Sequence, residues 1–286
     1  MAKAAAPLEL PSTCPAAVDG IRVGIGGWTF APWRDNFYPK GLVQRRELEY
    51  ASRHVSAIEI NGTWYGAQKP ATYAKWRDET PDGFVFSAKA PMRITMARTL
   101  ANTGAQVDAF LGDIVTLGDK LGPIVWQFDP ERKLARDDFA EFLSLLPQEI
   151  DGRRVRHVLD VRVAAFIDRA FLELARDHGM ATVFTDSPEH PSFADLTADF
   201  VYSRLMRSRS DVATGYRPDE LKQWARRARA WAGGGRPDDL PYVDGASPGR
   251  DAPARDVFLY FISSAKERNP AAAMALLREL GAVADA

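Results

Sequence analysis

The chain has 286 residues, of which 46% are hydrophobic and 26% are charged. These proportions exclude a disordered or fibrous protein, and the length fits one large α/β domain or two smaller ones. The net charge of −1 gives no overall attraction to nucleic acid or anionic membranes, and the single cysteine excludes an internal disulfide. Because no apolar run approaches the ~20 residues of a transmembrane helix, we expect a soluble cytoplasmic protein without a membrane partner.

Short apolar segments recur along the chain and have the composition of buried strands. They are rich in Val, Ile and Phe, which is typical of strands covered on both faces. We predict eight strands: Ile21–Gly27, Ala57–Asn61, Phe84–Lys89, Pro123–Phe128, His157–Arg162, Ala181–Asp186, Phe200–Leu205 and Val257–Ile262.

Helical patterns lie between the predicted strands, except that the sixth connection, Pro188–Ala198, has room for a short helix at most. The predicted helices are Leu42–Arg53, Ala71–Arg77, Ala105–Lys120, Asp137–Leu146, Ile167–His178, Leu221–Trp231 and Pro270–Leu280. Eight strands that alternate with helices predict a single-domain α/β fold, a TIM-type (β/α)8 barrel. A doubly wound open sheet is the alternative, but it usually has fewer strands at this length.

Two stretches fall outside this alternation. Residues 1–19 contain no long apolar stretch, and we expect a flexible N-terminal tail there, followed by the barrel over residues 20–286. Residues 233–256 hold four prolines among glycines and aspartates, which predicts an irregular loop insertion. Since that loop precedes the eighth strand, it should lie on the N-terminal face of the barrel, away from the face where barrels carry catalysis.

The C-terminal ends of the predicted strands carry charged and amide side chains, whereas the N-terminal halves are mostly apolar. Barrel enzymes build their active sites from residues at those ends. The candidate catalytic residues are Glu59, Lys89, Asp160 and Asp186. The candidate substrate-binding residues are Trp28, Asn61, Tyr65, Gln127, Arg162 and Arg204. We expect the charged side chains to point into one cavity, with Trp28 and Asn61 on its rim.

The charges at the strand ends allow two interpretations. In the first, Arg162 and Arg204 bind an anionic ligand, Lys89 adds a point charge, and Glu59 is a general acid or base. In the second, the acids and bases pair with one another and close the barrel as a structural plug. We favour the pocket, in which replacing Arg204 weakens ligand binding and leaves the melting temperature nearly unchanged.

The same residues limit the expected cofactors. Glu59, Asp160 and Asp186 offer oxygen ligands to a hard cation, but basic side chains at the same level would repel it, so we expect no metal. The chain has no P-loop, dinucleotide fingerprint or nucleophile elbow, and no cofactor is expected. Of the four histidines, only His190 is placed to reach the site.

Aromatic side chains crowd the loops after the first two strands, in residues 28–41 and at Trp64 and Tyr65. They suit a wall that stacks a planar base or the apolar face of a sugar. Packing that covers the barrel mouth is the equally supported alternative.

Three motifs resemble those of the domain-of-unknown-function 72 family, also called the YecE-like proteins. They read GIGGWTFAPWRDNFYP at Gly24–Pro39, IEINGTWY at Ile58–Tyr65 and PDGFVFSAKAPMRITM at Pro81–Met96. Weaker similarities follow over most of residues 21–280. The resemblance implies a TIM-type barrel, and it implies no function because the biochemical role of the family is not established.

The chain departs from the family pattern near the predicted mouth. Met96 and Met206 stand where the family has histidines, and Ile262 and Ser263 stand where it has two asparagines. These changes remove proton carriers and amide ligands. They predict a divergent member whose site has shifted to another substrate or has lost activity.

Three functions stay open at this point. The favoured one is an uncharacterised barrel that binds or transforms a small anionic metabolite, phosphorylated or sugar-like, at its C-terminal mouth. The second is a binding or accessory barrel without turnover. The third is a nucleic-acid-processing barrel in which Arg204, Arg207 and Arg209 hold phosphates, which the near-zero net charge disfavours.

Overall fold

The computed structural model describes residues 10–244 and 252–283. Its central feature is a closed barrel of eight parallel strands that follow one another in chain order. The strands are β1 (Ile21–Gly26), β2 (Ala57–Ile60), β3 (Val85–Lys89), β4 (Leu121–Phe128), β5 (His157–Val161), β6 (Ala181–Asp186), β7 (Phe200–Leu205) and β8 (Asp256–Phe261). Because β8 pairs with β1, the sheet has no edge, which confirms the predicted (β/α)8 barrel and excludes the open sheet.

Helices surround the barrel and connect its strands. They are α1 (Glu47–Ala51), α2 (Pro70–Glu79), α3 (Met92–Thr95), α4 (Gly104–Ile114), α5 (Arg136–Ser144), α6 (Arg169–Asp177), α7 (Pro218–Ala232) and α8 (Asn269–Glu279). The short α3 was not predicted, and the segment Pro188–Ala198 contains no helix. The predicted first helix is shorter than expected, because the residues before Glu47 form a 3-10 turn. None of the described helices combines the length and apolar character that a membrane crossing requires.

The strands bury side chains on both of their faces, which explains why they read as continuous apolar runs. The inner face fills the barrel with a small cluster that includes Val125, Val158 and Tyr202. The outer face packs against the helices in a larger cluster that includes Trp126 and Leu159. Successive residues of a strand alternate between these two clusters, so a position in the strand decides whether a side chain faces the barrel interior.

The ends of the chain differ in part from the expectation. Residues 10–19, expected to be flexible, instead pack against the barrel. Pro15 is buried, and Pro11 and Cys14 line a cavity of about 440 Å³ together with Met274 and Arg278 of α8. Residues 1–9 lie outside the described part of the chain. In the predicted irregular loop, residues 233–244 and 252–255 contain no helix or strand, Asp256 already belongs to β8, and residues 245–251 lie outside the described part of the chain.

Candidate functional site

Five charged side chains from four strands meet inside the C-terminal mouth of the barrel. They share the inward-facing register of their strands, since each lies two or four residues beyond a member of the inner apolar cluster on the same strand. We call them the mouth cluster, which consists of Glu59, Lys89, Asp160, Arg162 and Arg204. Five of the six charged residues that were expected to converge therefore lie together in the structure.

Arg204 lies at the centre of the mouth cluster and links its two carboxylates. Its Nε donates to Oε2 of Glu59 at 2.9 Å, and its Nη1 donates to Oδ2 of Asp160 at 2.5 Å. Arg204 is 2% exposed, Glu59 0% and Asp160 1%. A buried guanidinium with two carboxylate partners is a structural ion-pair network, as in the plug interpretation. Its Nε and Nη1 donate to protein carboxylates, and its Nη2 is buried 2.9 Å from Oε2 of Glu59 without a hydrogen bond, so the geometry does not present Arg204 to solvent.

The Asp160 carboxylate is held in its charged form by these neighbours. Burial raises the pKa of Asp160, but the guanidiniums of Arg204 and Arg162 outweigh it and leave that pKa below its ordinary value. Tyr202 donates its hydroxyl to Oε2 of Glu59 at 2.6 Å. Burial and the adjacent Glu59 carboxylate raise the pKa of Tyr202 well above its ordinary value, so the phenol keeps the proton that it donates.

Arg162 forms the outer part of the cluster, directly after β5. Its Nη2 lies 3.1 Å from Oδ2 of Asp160, and its Nη1 lies 3.1 Å from Nε2 of His190. Burial and the Arg162 charge lower the pKa of His190, so its neutral ring accepts from the guanidinium. Arg162 is partly exposed, in contrast to the residues beneath it. The expectation that His190 reaches the site agrees with this contact.

Lys89 stands at the end of β3 with its ammonium against an aromatic ring. Its Nζ lies 4.3 Å from the ring centroid of Trp64, and no described carboxylate lies within ion-pair distance of it. Burial and the charge of Arg204 lower the pKa of Lys89 to about 8. The Trp64 ring is positioned by a 3-10 turn after β2, where Thr63 donates its hydroxyl to the backbone oxygen of Lys89 at 2.6 Å.

Two amide side chains lie beside the cluster. Gln127 is the register neighbour of Asp160, and its Nε2 donates to Asp129 at 2.8 Å. Asn61 follows Glu59 on the same face and is close to the backbone of Gly26. Among the described residues, no donor reaches Oε1 of Gln127 or Oε1 of Glu59, although both oxygens are buried. The mouth therefore holds two acceptors without a protein partner.

Asp186 does not join the mouth cluster, which corrects the sequence-based expectation. In the register between β6 and β7, Thr185 is the partner of Arg204 and takes the inward position. Asp186 is directed outward and bonds Nε of Arg207 at 2.7 Å. It lines a separate cavity of about 470 Å³ with Met206 and residues of α7. The physical reason is the two-residue alternation of a strand, which turns its last residue away from the barrel.

Trp28 and Tyr65, both expected to bind substrate, also lie away from the cluster. The Trp28 ring packs edge-on against Trp76 of α2 at 5.0 Å and against Phe86 at 6.2 Å, on the outer side of β3. Tyr65 is 81% exposed. The structure thus gives neither ring a contact with the charged side chains.

The aromatic residues of the first loop serve as packing. Trp33, Phe37 and Tyr38 are buried, and Trp33 donates its indole N–H to the backbone oxygen of Lys266 at 2.8 Å. They stack edge-on against one another and do not present faces to a ligand. The aromatic loops are interpreted from the sequence either as a wall that stacks a ligand or as packing. For the first loop, the structure shows packing.

The departures from the family pattern lie around the mouth. Met96 is exposed at the end of α3, and Met206 lines the same cavity as Asp186. Ser263 and Ser264 follow β8 with φ of 60° and 48°, two consecutive left-handed residues without a glycine. Such a conformation is strained for serine and easier for asparagine or glycine.

Sequence reasoning missed Tyr202, and it selected Tyr65 as a site residue where the neighbouring Trp64 contacts the cluster. Tyr202 precedes Arg204 by two positions in β7, so strand alternation alone places both on the inner face. Trp64 precedes the expected Tyr65 by one position, and only the shape of the 3-10 turn decides which ring meets Lys89. Within the described residues there is no group of three or more His, Cys, Asp or Glu side chains arranged to hold a metal.

Comparison with known proteins places the chain in a family. The family model described as "Protein of unknown function DUF72" matches residues 22–286. The UPF0759 protein YecE of Escherichia coli K12 is 30% identical over 142 residues, 48% of this chain and 48% of YecE. The UPF0759 protein YunF of Bacillus subtilis 168 is 27% identical over 116 residues, 38% of this chain and 40% of YunF. The chain thus matches half or less of the length of these curated relatives.

A solved structure supports the fold. The crystal structure of a DUF72 family protein from Thermotoga maritima MSB8 superposes with a TM-score of 0.65, covering 90% of this chain and 96% of that one at 17% identity. At that identity the superposition shows a shared barrel fold and gives no evidence of a shared reaction. Because the family model spans nearly the whole of the sequence, the chain belongs to the family of proteins of unknown function DUF72.

Proposed function

We propose that the protein binds a small anionic metabolite, phosphorylated or sugar-like, at the C-terminal mouth of its barrel. One observation carries the proposal: Lys89 and Arg162 are partly exposed, whereas the carboxylates of Glu59 and Asp160 are buried beneath them. The three cations of the mouth cluster outnumber its two carboxylates. An incoming anion therefore meets an excess of positive charge at the side that solvent reaches.

Arg162 is the side chain best prepared to contact the anion. Asp160 holds Nε and Nη2 of its guanidinium on one side, and His190 meets Nη1 on the other. A guanidinium that is already oriented loses little conformational freedom when it binds phosphate or carboxylate. In this arrangement Arg204 is a positioning residue, because it fixes Asp160 and with it Arg162, and Lys89 supplies the second charge.

The unpartnered acceptors favour a ligand that carries hydroxyl groups. Oε1 of Gln127 and Oε1 of Glu59 are buried and have no donor among the described residues. Buried acceptors are normally satisfied, and a hydroxyl group supplies the missing donor. Cations for an anionic group and acceptors for hydroxyl groups together fit a sugar acid or a sugar phosphate.

Binding without turnover is the second candidate function. It is favoured by the burial of Glu59 and Asp160, the expected acid–base groups, which are already engaged by Arg204. A nucleic-acid groove receives less support, because Arg207 and Arg209 are paired with Asp186 and Glu220 and so offer little unneutralised charge.

Thermal unfolding with and without sn-glycerol 3-phosphate tests the proposal. A ligand at about 100 times its Kd stabilises a protein by about 2.7 kcal/mol, so we expect a clear rise in the melting temperature. The Arg162→Met variant should lose that rise. The matched control is Arg207→Met, which removes a paired arginine outside the mouth and should keep it.

Two results would overturn the proposal. In the first, the wild-type melting temperature does not respond to sn-glycerol 3-phosphate or to inorganic phosphate. In the second, the response is lost in Arg207→Met and kept in Arg162→Met, which would move the anion to the cavity beside Asp186.

A further inference from the structure

Lys89 differs from the other cations of the mouth cluster in having no ion-pair partner within the described residues. Arg162 and Arg204 are both within ion-pair distance of Asp160, but no described carboxylate lies that close to Nζ of Lys89. Its Nζ lies over the face of the Trp64 ring, 4.3 Å from the ring centroid. The amine thus lies at the end of β3, partly exposed, and no side chain or carbonyl oxygen in the described part of the chain accepts a hydrogen bond from it.

The surroundings of Lys89 favour a neutral amine. Burial and the nearby Arg204 lower its pKa to about 8, with Glu59 and Asp160 opposing and Arg162 assisting that shift. Near pH 7.5 about a quarter of such side chains are unprotonated, compared with about one in a thousand for an ordinary lysine. A neutral lysine amine is a nucleophile toward carbonyl carbon, and desolvation beside another cation is the usual means of producing one.

The surroundings of Lys89 would also stabilise the positively charged iminium that forms when its amine reacts with a carbonyl group. Condensation of an amine with a carbonyl gives an iminium, and the Trp64 ring face can hold that positive charge as it holds the ammonium. Glu59 lies on β2 and Asp160 on β5, so carboxylates face the mouth on both sides of β3. Arg162 remains available for the anionic end of the same ligand.

We propose that Lys89 forms a Schiff base with the carbonyl group of an open-chain anionic sugar, an inference that rests on anion binding at the mouth as proposed above. The neutral amine attacks the carbonyl carbon, and a proton moves from nitrogen to oxygen to give the carbinolamine. The hydroxyl group then takes up a proton from solvent and leaves as water, and the nitrogen keeps its remaining hydrogen, so that a protonated carbon–nitrogen double bond, the iminium, replaces the carbon–oxygen double bond. No oxidant or reductant is consumed.

Reductive trapping tests this step with three matched probes. Dihydroxyacetone phosphate has the carbonyl and the anion, dihydroxyacetone has the carbonyl alone, and sn-glycerol 3-phosphate has the anion alone. With cyanoborohydride present, we expect dihydroxyacetone phosphate to leave one reduced adduct on Lys89, located by peptide mass mapping. Dihydroxyacetone should give about tenfold less, because only the phosphate is drawn to Arg162.

Two lysine-to-arginine variants test whether the adduct needs the amine of Lys89 and not merely its positive charge. Lys89→Arg keeps the positive charge and cannot form an imine, so it should lose the adduct with dihydroxyacetone phosphate. Lys266→Arg is the matched control, because Lys266 also lies over aromatic rings and burial lowers its pKa too, outside the mouth cluster. It should keep the adduct. The yield for the wild type should reach half of its maximum near pH 8.

The outcomes distinguish this inference from the function on which it rests. A melting-temperature rise with sn-glycerol 3-phosphate but no adduct with dihydroxyacetone phosphate would overturn the Schiff base and leave anion binding intact. Adducts spread equally over Lys266 and surface lysines would overturn it as well. If neither the rise nor the adduct is seen, both proposals fail.

Discussion

The guanidinium of Arg204 on β7 lies 2.9 Å from the carboxylate of Glu59 on β2, inside the barrel. In the sheet these strands are separated by β8 and β1, so the pair ties together strands that do not hydrogen-bond to each other. Both side chains are almost wholly buried. The contact therefore belongs to the structure of the mouth, although the position of Arg204 at a strand end led us to expect an anion ligand.

Replacing Arg204 should consequently cost stability, in contrast to the expectation from sequence. Arg204→Met leaves the carboxylates of Glu59 and Asp160 buried without their shared partner. Removing one member of a buried ion pair typically costs about 3–5 kcal/mol, and we expect urea unfolding to show a loss of that size.

Two comparisons make the Arg204 test specific. Arg207→Met breaks a partly exposed pair with Asp186 and should cost less than about 1 kcal/mol. Combining Arg204→Met with Glu59→Gln removes one stranded charge and should recover part of the loss. Equal losses of unfolding free energy for Arg204→Met and Arg207→Met would show that the buried network stabilises the protein no more than an exposed ion pair does.

Acid should weaken the contribution of Asp160. Because its pKa is lower in the folded protein than its ordinary value of 3.8, the folded state binds fewer protons, and its stabilisation is complete above that value. As the pH falls below 3.8, the stabilisation is lost. The stability gap between wild type and Asp160→Asn, measured by urea unfolding, should therefore narrow between pH 5 and pH 3. A constant gap would contradict the prediction.

The pH dependence of Lys89 has the opposite direction. Its pKa is about 8 in the folded protein and 10.5 ordinarily, so between these values the unfolded chain binds more protons and stability rises with pH. Lys89→Met lacks this dependence. In thermal melts, the melting temperature of the wild type relative to that of Lys89→Met should increase between pH 7 and pH 10. Lys75→Met, at an exposed position of α2, provides the baseline for removing a lysine.

The strained turn after β8 offers a stabilising substitution. Ser263 has φ of 60°, a conformation that glycine adopts without a steric penalty, and its hydroxyl forms no hydrogen bond with any residue that the structure describes. Ser263→Gly should raise the unfolding free energy by about 1 kcal/mol and the melting temperature by about 2–4 °C. Ser264→Gly is the control, since it also removes the hydrogen bond from Ser264 to Met206 and should gain less. A lower melting temperature for Ser263→Gly would refute the prediction.

The positions of Asp186 and Arg204 show what a strand-end rule can and cannot supply. The rule located both at the C-terminal end of the barrel, because parallel strands end on one side of the sheet. The rule did not distinguish inward-facing from outward-facing residues at β6. There the register with β7 places the Thr185 side chain in the barrel interior and turns Asp186 outward. A shift of one residue reverses the direction of a side chain, and the exact strand end is the least determined feature of a sequence.

The sequence by itself determined the barrel and most of the mouth cluster. Eight apolar runs, each followed by a connection, can bury both faces only when the sheet closes, and the two-residue spacing places Asp160 with Arg162 and Glu59 with Asn61. Only the tertiary structure decided which charges neutralise one another. Arg204 meets Glu59 because β2 and β7 face each other inside the closed barrel, whereas Lys89 ends on β3 beside Trp64 with no carboxylate within ion-pair distance among the described residues. Such pairing depends on distances between strands far apart in the chain, and a linear pattern carries no information about them.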